Sequence, residues 1–213
     1  MSDDEIRFIS DWDQDKEDHR TYVGGDWKRI GNWQFKFLVH TAGLNPNHTL
    51  LDIACGSLRL GVHAIPYLEP MRYFGLEGEV EILQKGIEEE LGNDLSKDPQ
   101  FAVNKNFNFD FCGGDDIAWA NSLFSHLSIK DITQCFTNLR KISSPESVFW
   151  FTFFPEIPGK LEEKNPLESH ARKDFRYKYE TMLDVALQTG WQFERINASH
   201  PRKQAIVRAK IRR

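Results

Sequence analysis

Cysteine is scarce in this sequence. There are three, Cys55, Cys112 and Cys135, odd in number, far apart and never in a C-x-x-C arrangement. That excludes a disulfide framework and a zinc ribbon. The seven histidines are scattered without metal-ligand spacing, so no metal is expected. No apolar run approaches the ~18 residues of a membrane span. The first residues carry no secretory-signal pattern either. The expectation is a cytoplasmic protein with no membrane association. Positive charge is also in deficit: 27 Lys and Arg against 32 Asp and Glu leave a net charge of −5. Such a chain lacks the basic footprint of a general nucleic-acid binder.

What is present fits one globular domain. The chain has 213 residues, 40% of them hydrophobic and 28% charged, enough for a sizeable core. Residues 1–21 form an acidic arm, with eight acids between Asp3 and Asp18 opposed by Arg7 and Lys16. The arm reads as a partly flexible tail, or as a lid anchored by Phe8, Ile9 and Trp12. Residues 22–213 read as the domain. Gly24-Gly25 is a turn, and from Asn32 a helical pattern runs through Phe35, Leu38, Val39 and Ala42 to a stop at Gly43.

The chain is organised around Thr49 to Gly61, TLLDIACGSLRLG. Leu50, Leu51 and Ile53 flank Asp52 as a buried strand, and Ala54, Cys55 and Gly56 make a tight turn into a helix. Free N–H groups at such a turn face any ligand above it, and Gly56 lets the ligand come close. No Lys-Ser or Lys-Thr follows, so this is not a Walker loop. The three-glycine dinucleotide fingerprint is incomplete. Further strands are predicted at Arg72–Leu76, Phe101–Lys105, Asp116–Asn121, Val148–Phe154, Trp191–Ile196 and Gln204–Ile211. Helices are predicted at Val80–Leu91, Ile129–Lys141 and Tyr179–Gly190. Alternation of this kind means α/β: a doubly wound, mostly parallel seven-stranded sheet closed by a C-terminal antiparallel hairpin.

The Asp52-x-Ala54-x-Gly56 turn resembles motif I of the class I S-adenosylmethionine-dependent methyltransferases, with Leu58 in place of a usual third glycine. Asp116-Ile-Ala-Trp-Ala-Asn121 followed by SLFSHL resembles their motif IV, and the likeness runs from Tyr22 to Ile211. Glu77 lies 21 positions after Gly56, near the spacing of a carboxylate that accepts from ribose hydroxyls. The resemblance implies S-adenosyl-L-methionine as cofactor and S-adenosyl-L-homocysteine (SAH) as product. It implies a cofactor site from Asp52, Ala54, Cys55, Gly56, Ser57, Glu77, Gly78, Asn121 and Ser122. Asn106 would bond the adenine amino group and Phe107 would pack on the ring, with Asp110 and Phe111 as rivals. The "VGG-D-W" segment from Val23 would help close the site.

The implied reaction is methyl transfer. A hydroxyl acceptor must lose its proton, and His126 is the first candidate for the base; His63 and His200 are weaker ones. No N-P-P-Tyr/Phe element of base methylases is present: the matching place reads Asn121-Ser122-Leu123-Phe124. The aromatic residues Tyr22, Trp27, Phe124 and Phe154, and the long connection Pro155–Asp174, are expected around an acceptor pocket. The sequence therefore reads as a monomeric or homodimeric enzyme methylating a small molecule at a hydroxyl group. A catalytically inactive cofactor-binding regulator and a methyltransferase of protein or tRNA stay open as alternatives.

Overall fold

The computed structural model describes residues 17–157 and 166–212. Phe8, Ile9 and Trp12 lie outside them. The arm boundary expected at 21/22 falls inside helix α1 (His19–Tyr22). There His19 is buried and its Nε2 lies 3.1 Å from Glu89.

The strands are β1 (Leu50–Ile53), β2 (Tyr73–Glu77), β3 (Gln100–Val103), β4 (Ile117–Ala120), β5 (Val148–Pro155), β6 (Arg176–Tyr177), β7 (Trp191–Ile196) and β8 (Ala205–Ile211). Their order is β3-β2-β1-β4-β5-β8-β7. The first five are parallel, while β8 is antiparallel to both β5 and β7. The expected seven strands are therefore present, closed by the expected hairpin. An eighth, β6, is an addition: two residues paired parallel to the end of β5, too short to leave a periodic signal. The chain winds from β1 outward to β3, then crosses back to β4 on the other side of β1. A ligand crevice opens at such a reversal, above the carboxyl ends of the strands.

Helices α2 (Trp27–Phe37), α3 (Gly61–Tyr67) and α4 (Val80–Gly86) cover one face of the sheet. Helices α5 (Ile129–Ile142) and α6 (Tyr179–Gln188) cover the other. Alternation along each strand divides the side chains between the two cores. In β5, Phe149, Phe151 and Phe153 join the α5/α6 layer, and Trp150 joins the other. Burial on both faces explains why β5 is apolar throughout. Among the described residues, no helix is long and apolar enough to cross a membrane.

Two helix starts differ from the sequence reading. α2 begins at Trp27, not Asn32, because its buried face includes Trp27, Ile30, Gly31 and Gln34. Gly31 and Gln34 are not apolar and so hide the period. The helix after β1 begins only at Gly61. Between them Ala54, Gly56 and Leu58 all have φ near +60°, which no right-handed helix accommodates. Leu58 and Leu60 are nevertheless buried, so an irregular loop satisfies the apolar pattern that had suggested a helix.

α4 presses on this loop. A Cβ at Gly86 would lie 2.6 Å from the carbonyl carbon of Ser57 and 2.8 Å from its Cα. An alanine in a helix ordinarily gains about 0.5–1 kcal/mol over glycine. Here overpacking against backbone costs roughly 1–3 kcal/mol and wins. Gly86→Ala is expected to lower the urea-unfolding stability. A neutral or stabilised variant would show that α4 does not bear on the loop.

Candidate functional site

A cavity of about 290 Å³ opens above the ends of β1, β2 and β4. A smaller one of about 50 Å³ adjoins it and shares Ala54, Glu77 and Leu123.

Glu77, the last residue of β2, is the junction. Its Oε2 accepts from the Gly56 N–H at 2.7 Å. Its Oε1 accepts from the N–H groups of Gly78 at 2.7 Å and Glu79 at 3.1 Å. Burial raises the Glu77 carboxyl, and the three N–H donors pull the other way. A carboxylate has about four lone-pair sites, and three bonds occupy three of them. One acceptor site stays open, on Oε2. Gly56 suits its place because it has φ +59° and a Cβ there would meet Val23 Cγ1 at 2.9 Å.

Asp52 sits one strand away. It shares its side of the sheet with Leu50 and Trp119, and its Oδ2 accepts from the Tyr73 hydroxyl at 2.7 Å. Burial pushes its carboxyl up to about 7 against the pull of Tyr73 and Arg59. Arg59 is buried too, at 8% exposure, and its Nη1 donates to the Val23 carbonyl at 2.8 Å. Its Nε has no partner. Burial first, and the nearby Arg202 charge second, lower its guanidinium to about 10, so it stays charged at neutral pH.

The structure brings Asp52, Ala54, Cys55, Gly56, Glu77, Asn121, Ser122 and His126 to the larger cavity. Gly78 and Phe107 line the smaller one with Leu76, Leu127 and Asn104. Ser57 and Asn106 line neither. Ser57 is fully buried and accepts from Trp27 Nε1 at 3.4 Å. The Asn106 carbonyl is taken by Gln134 and Asn138 of α5, both at 3.1 Å, so the rim of the small cavity falls to Asn104. Burial keeps the Cys55 thiol neutral by raising it. Asn121 and Ser122 spend their side chains on bracing: Asn121 Oδ1 is 3.0 Å from His200 Nε2, and Ser122 Oγ donates to Gln204 at 3.1 Å.

His126 Nδ1 lies 2.8 Å from the Lys173 carbonyl oxygen. A carbonyl only accepts, so Nδ1 carries the proton and Nε2 keeps the lone pair. Burial lowers this imidazole, opposed by Lys173 and by Asp174 at 3.9 Å. His63 does not line either cavity, and burial lowers His200 to about 4.

Of the aromatic residues expected around an acceptor, Tyr22 lines the large cavity. Phe124 does not: it is fully buried, packed on Phe136, Phe149 and Phe151. Phe154 stacks under Arg176 instead. The connection after β5 does reach the cavity, through Ala171, Arg172 and Asp174. Its place is fixed by the bonds His170 N to His126 O, 2.8 Å, and Phe175 N to Ser125 O, 2.6 Å. Sequence reasoning missed Arg59 and Arg202. The signals were an arginine between two leucines in the glycine turn, and a basic pair in a hairpin loop at the ligand-facing end of the sheet.

Solved structures share this architecture. A magnesium protoporphyrin IX methyltransferase from Synechocystis with bound SAH superposes with a TM-score of 0.65 at 12% identity, over 96% of this chain and 90% of that one. The glycopeptide N-methyltransferase MtfA complexed with S-adenosyl-L-methionine gives 0.64 at 12% identity, over 85% and 94%. An S-adenosylmethionine-dependent methyltransferase from Clostridium acetobutylicum gives 0.62 at 13%, over 91% and 95%. The chain has the class I methyltransferase fold. No protein-family model matches it.

Asp52 generates a pH prediction. Its carboxyl rises from the ordinary value near 4 to about 7. Between those values the folded protein holds a proton that the unfolded chain has released, so stability falls as pH rises through that window. Asp52→Asn keeps an acceptor for Tyr73 and carries no charge. Its unfolding free energy is expected to decline less than the wild type's between pH 5 and pH 7, by about 2–3 kcal/mol at 1.36 kcal/mol per unit. Parallel pH curves would contradict the assignment.

Proposed function

We propose that this protein is an S-adenosylmethionine-dependent methyltransferase acting on a hydroxyl group of a small molecule. The observation that carries the reading is Glu77: a strand-end carboxylate bonded to the glycine turn with one acceptor site open between two adjoining cavities. The surrounding residues fit such a cofactor in charge and shape. Glu77 offers its open site to a ribose hydroxyl. The smaller cavity is walled by Leu76, Phe107, Leu123 and Leu127, an apolar slot suited to a purine ring. Arg59, with its unpartnered Nε, suits the methionine carboxylate, and Asp52 suits the ammonium group. When bound, this cofactor supplies a methyl group activated by a sulfonium charge.

The chain's own residues then have three tasks. They align the acceptor, keep water out and take the acceptor's proton. His126 is proposed as the base: Lys173 orients the ring so that Nε2 is the accepting nitrogen, and its lowered pKa keeps it unprotonated near neutral pH. Tyr22 and the segment bearing Ala171 and Arg172 wall the acceptor side. The modest cavity and the net charge of −5 favour a small acceptor over a polynucleotide. A cytoplasmic location belongs to the same reading.

Calorimetric titration tests the cofactor. SAH is expected to bind with a dissociation constant on the order of 1–100 µM without added metal; no heat and no thermal shift at saturating SAH would remove the reading. His126→Ala is expected to lower kcat by about 10²–10⁴-fold while SAH affinity stays the same. Full activity in that variant would take His126 out of the mechanism.

A further inference from the structure

The larger cavity holds a cation that makes no hydrogen bond or ion pair through its guanidinium among the described residues. Arg202 lies in the loop between β7 and β8, at the ligand-facing end of the sheet, and lines the cavity with Arg59 and His126. Its backbone N–H donates to His200 Nδ1 at 3.1 Å. Among the described residues its guanidinium has no hydrogen bond and no ion pair.

The group is held in place by packing. A Cβ on Gly24 would fall 2.7 Å from Arg202 Nη1 and 2.9 Å from Nη2, so the guanidinium lies against the bare backbone there. The Arg202 charge helps lower the pKa of Asp26, but no carboxylate among the described residues forms a hydrogen bond or ion pair with its guanidinium. Asp26 is hydrogen-bonded to Arg29 at 2.5 Å, and Asp174 lies 3.9 Å from His126. Arg202 also bears on its cationic neighbours: its charge lowers the pKa of Arg59, His126 and His200. Three arginines, Arg59, Arg172 and Arg202, line the cavity; Arg172 pairs with Glu17, and Arg59 feels the charges of Asp52 and Asp26. A cofactor of the proposed kind brings one carboxylate, and Arg59, buried and with an orphaned Nε, is matched to it. Arg202 is left for another anion.

We propose that the methyl acceptor carries an anionic group, a carboxylate or a phosphate monoester, and that Arg202 receives it. The inference rests on the methyltransferase reading. It narrows the acceptor to an acid whose hydroxyl lies within reach of His126 while its charge sits on Arg202. A guanidinium presents paired donors to either oxyanion in one plane. The acid group thereby orients the hydroxyl.

The test uses the full chain saturated with SAH. Inorganic phosphate and, separately, acetate are titrated at constant ionic strength, followed by calorimetry and by the thermal midpoint. At least one anion is expected to bind with a dissociation constant of about 1–10 mM. Arg202→Gln should weaken that binding about tenfold or more, and Arg202→Lys should retain most of it. SAH affinity is expected to be unchanged in both variants, which also shows that they fold. Preference for phosphate or acetate distinguishes the two acid classes. Absence of binding by either anion, or equal binding by Arg202→Gln, would overturn the proposal. The titrations are repeated on ligand-free protein, so failure of the wild type to bind SAH is read as loss of the methyltransferase assignment and not as loss of the anion site.

Discussion

The site depends on one carboxylate. Glu77 ends β2, and its oxygens collect N–H groups from Gly56, Gly78 and Glu79. The first of these bonds ties the end of β2 to the loop after β1. That loop needs restraint, because Ala54 and Leu58 hold positive φ without being glycine, at a cost of order 1–3 kcal/mol each. Burial of Leu58, the packing of Gly86 on Ser57 and the Glu77–Gly56 bond offset it. Ala54 of this loop lines both cavities. Binding surface and loop geometry therefore have one origin, and the residue expected to hold a ribose already holds the turn beneath it.

Charge is distributed across the cavity with the same economy. Asp52 and Glu77 lie on the β1/β2 side, Arg59 in the loop after β1, His126 after β4 and Arg202 in the last hairpin loop, and all five line the cavity. Burial opposes the charges of Asp52, Glu77, Arg59 and His126. A ligand that is cationic at one end and anionic at another would meet partners at both. Opposed burial raises the strength of such contacts, since little water screens them.

Much of this was legible in the sequence. β5 announced itself because both its faces are covered, and β1 because three apolar residues frame a single acid. The spacing from Gly56 to Glu77 pointed to the carboxylate. What it could not reveal is the bond between the two, which depends on the β1/β2 register that sets Ile53 beside Leu76. Asn106 looked like a polar residue at a strand end, but α5 captures its carbonyl. Phe124 looked like a pocket aromatic because it follows Asn121, yet the short helical turn Leu123–Ser125 rotates it into the core. Arg59 was hidden by the habit of reading arginine as a surface residue; only the fold shows that its neighbours bury it.

The central claim is that the open acceptor site of Glu77 receives a ribose hydroxyl. A double-mutant cycle measures this directly. SAH and its 2′-deoxy and 3′-deoxy analogues would be titrated into the wild type and Glu77→Ala. In the wild type, loss of the hydroxyl that Glu77 accepts should weaken binding by about 1.5–3 kcal/mol, the range for hydrogen bonds to a charged group. In Glu77→Ala that same analogue should bind about as well as SAH. Equal losses in both proteins, for both analogues, would contradict the account.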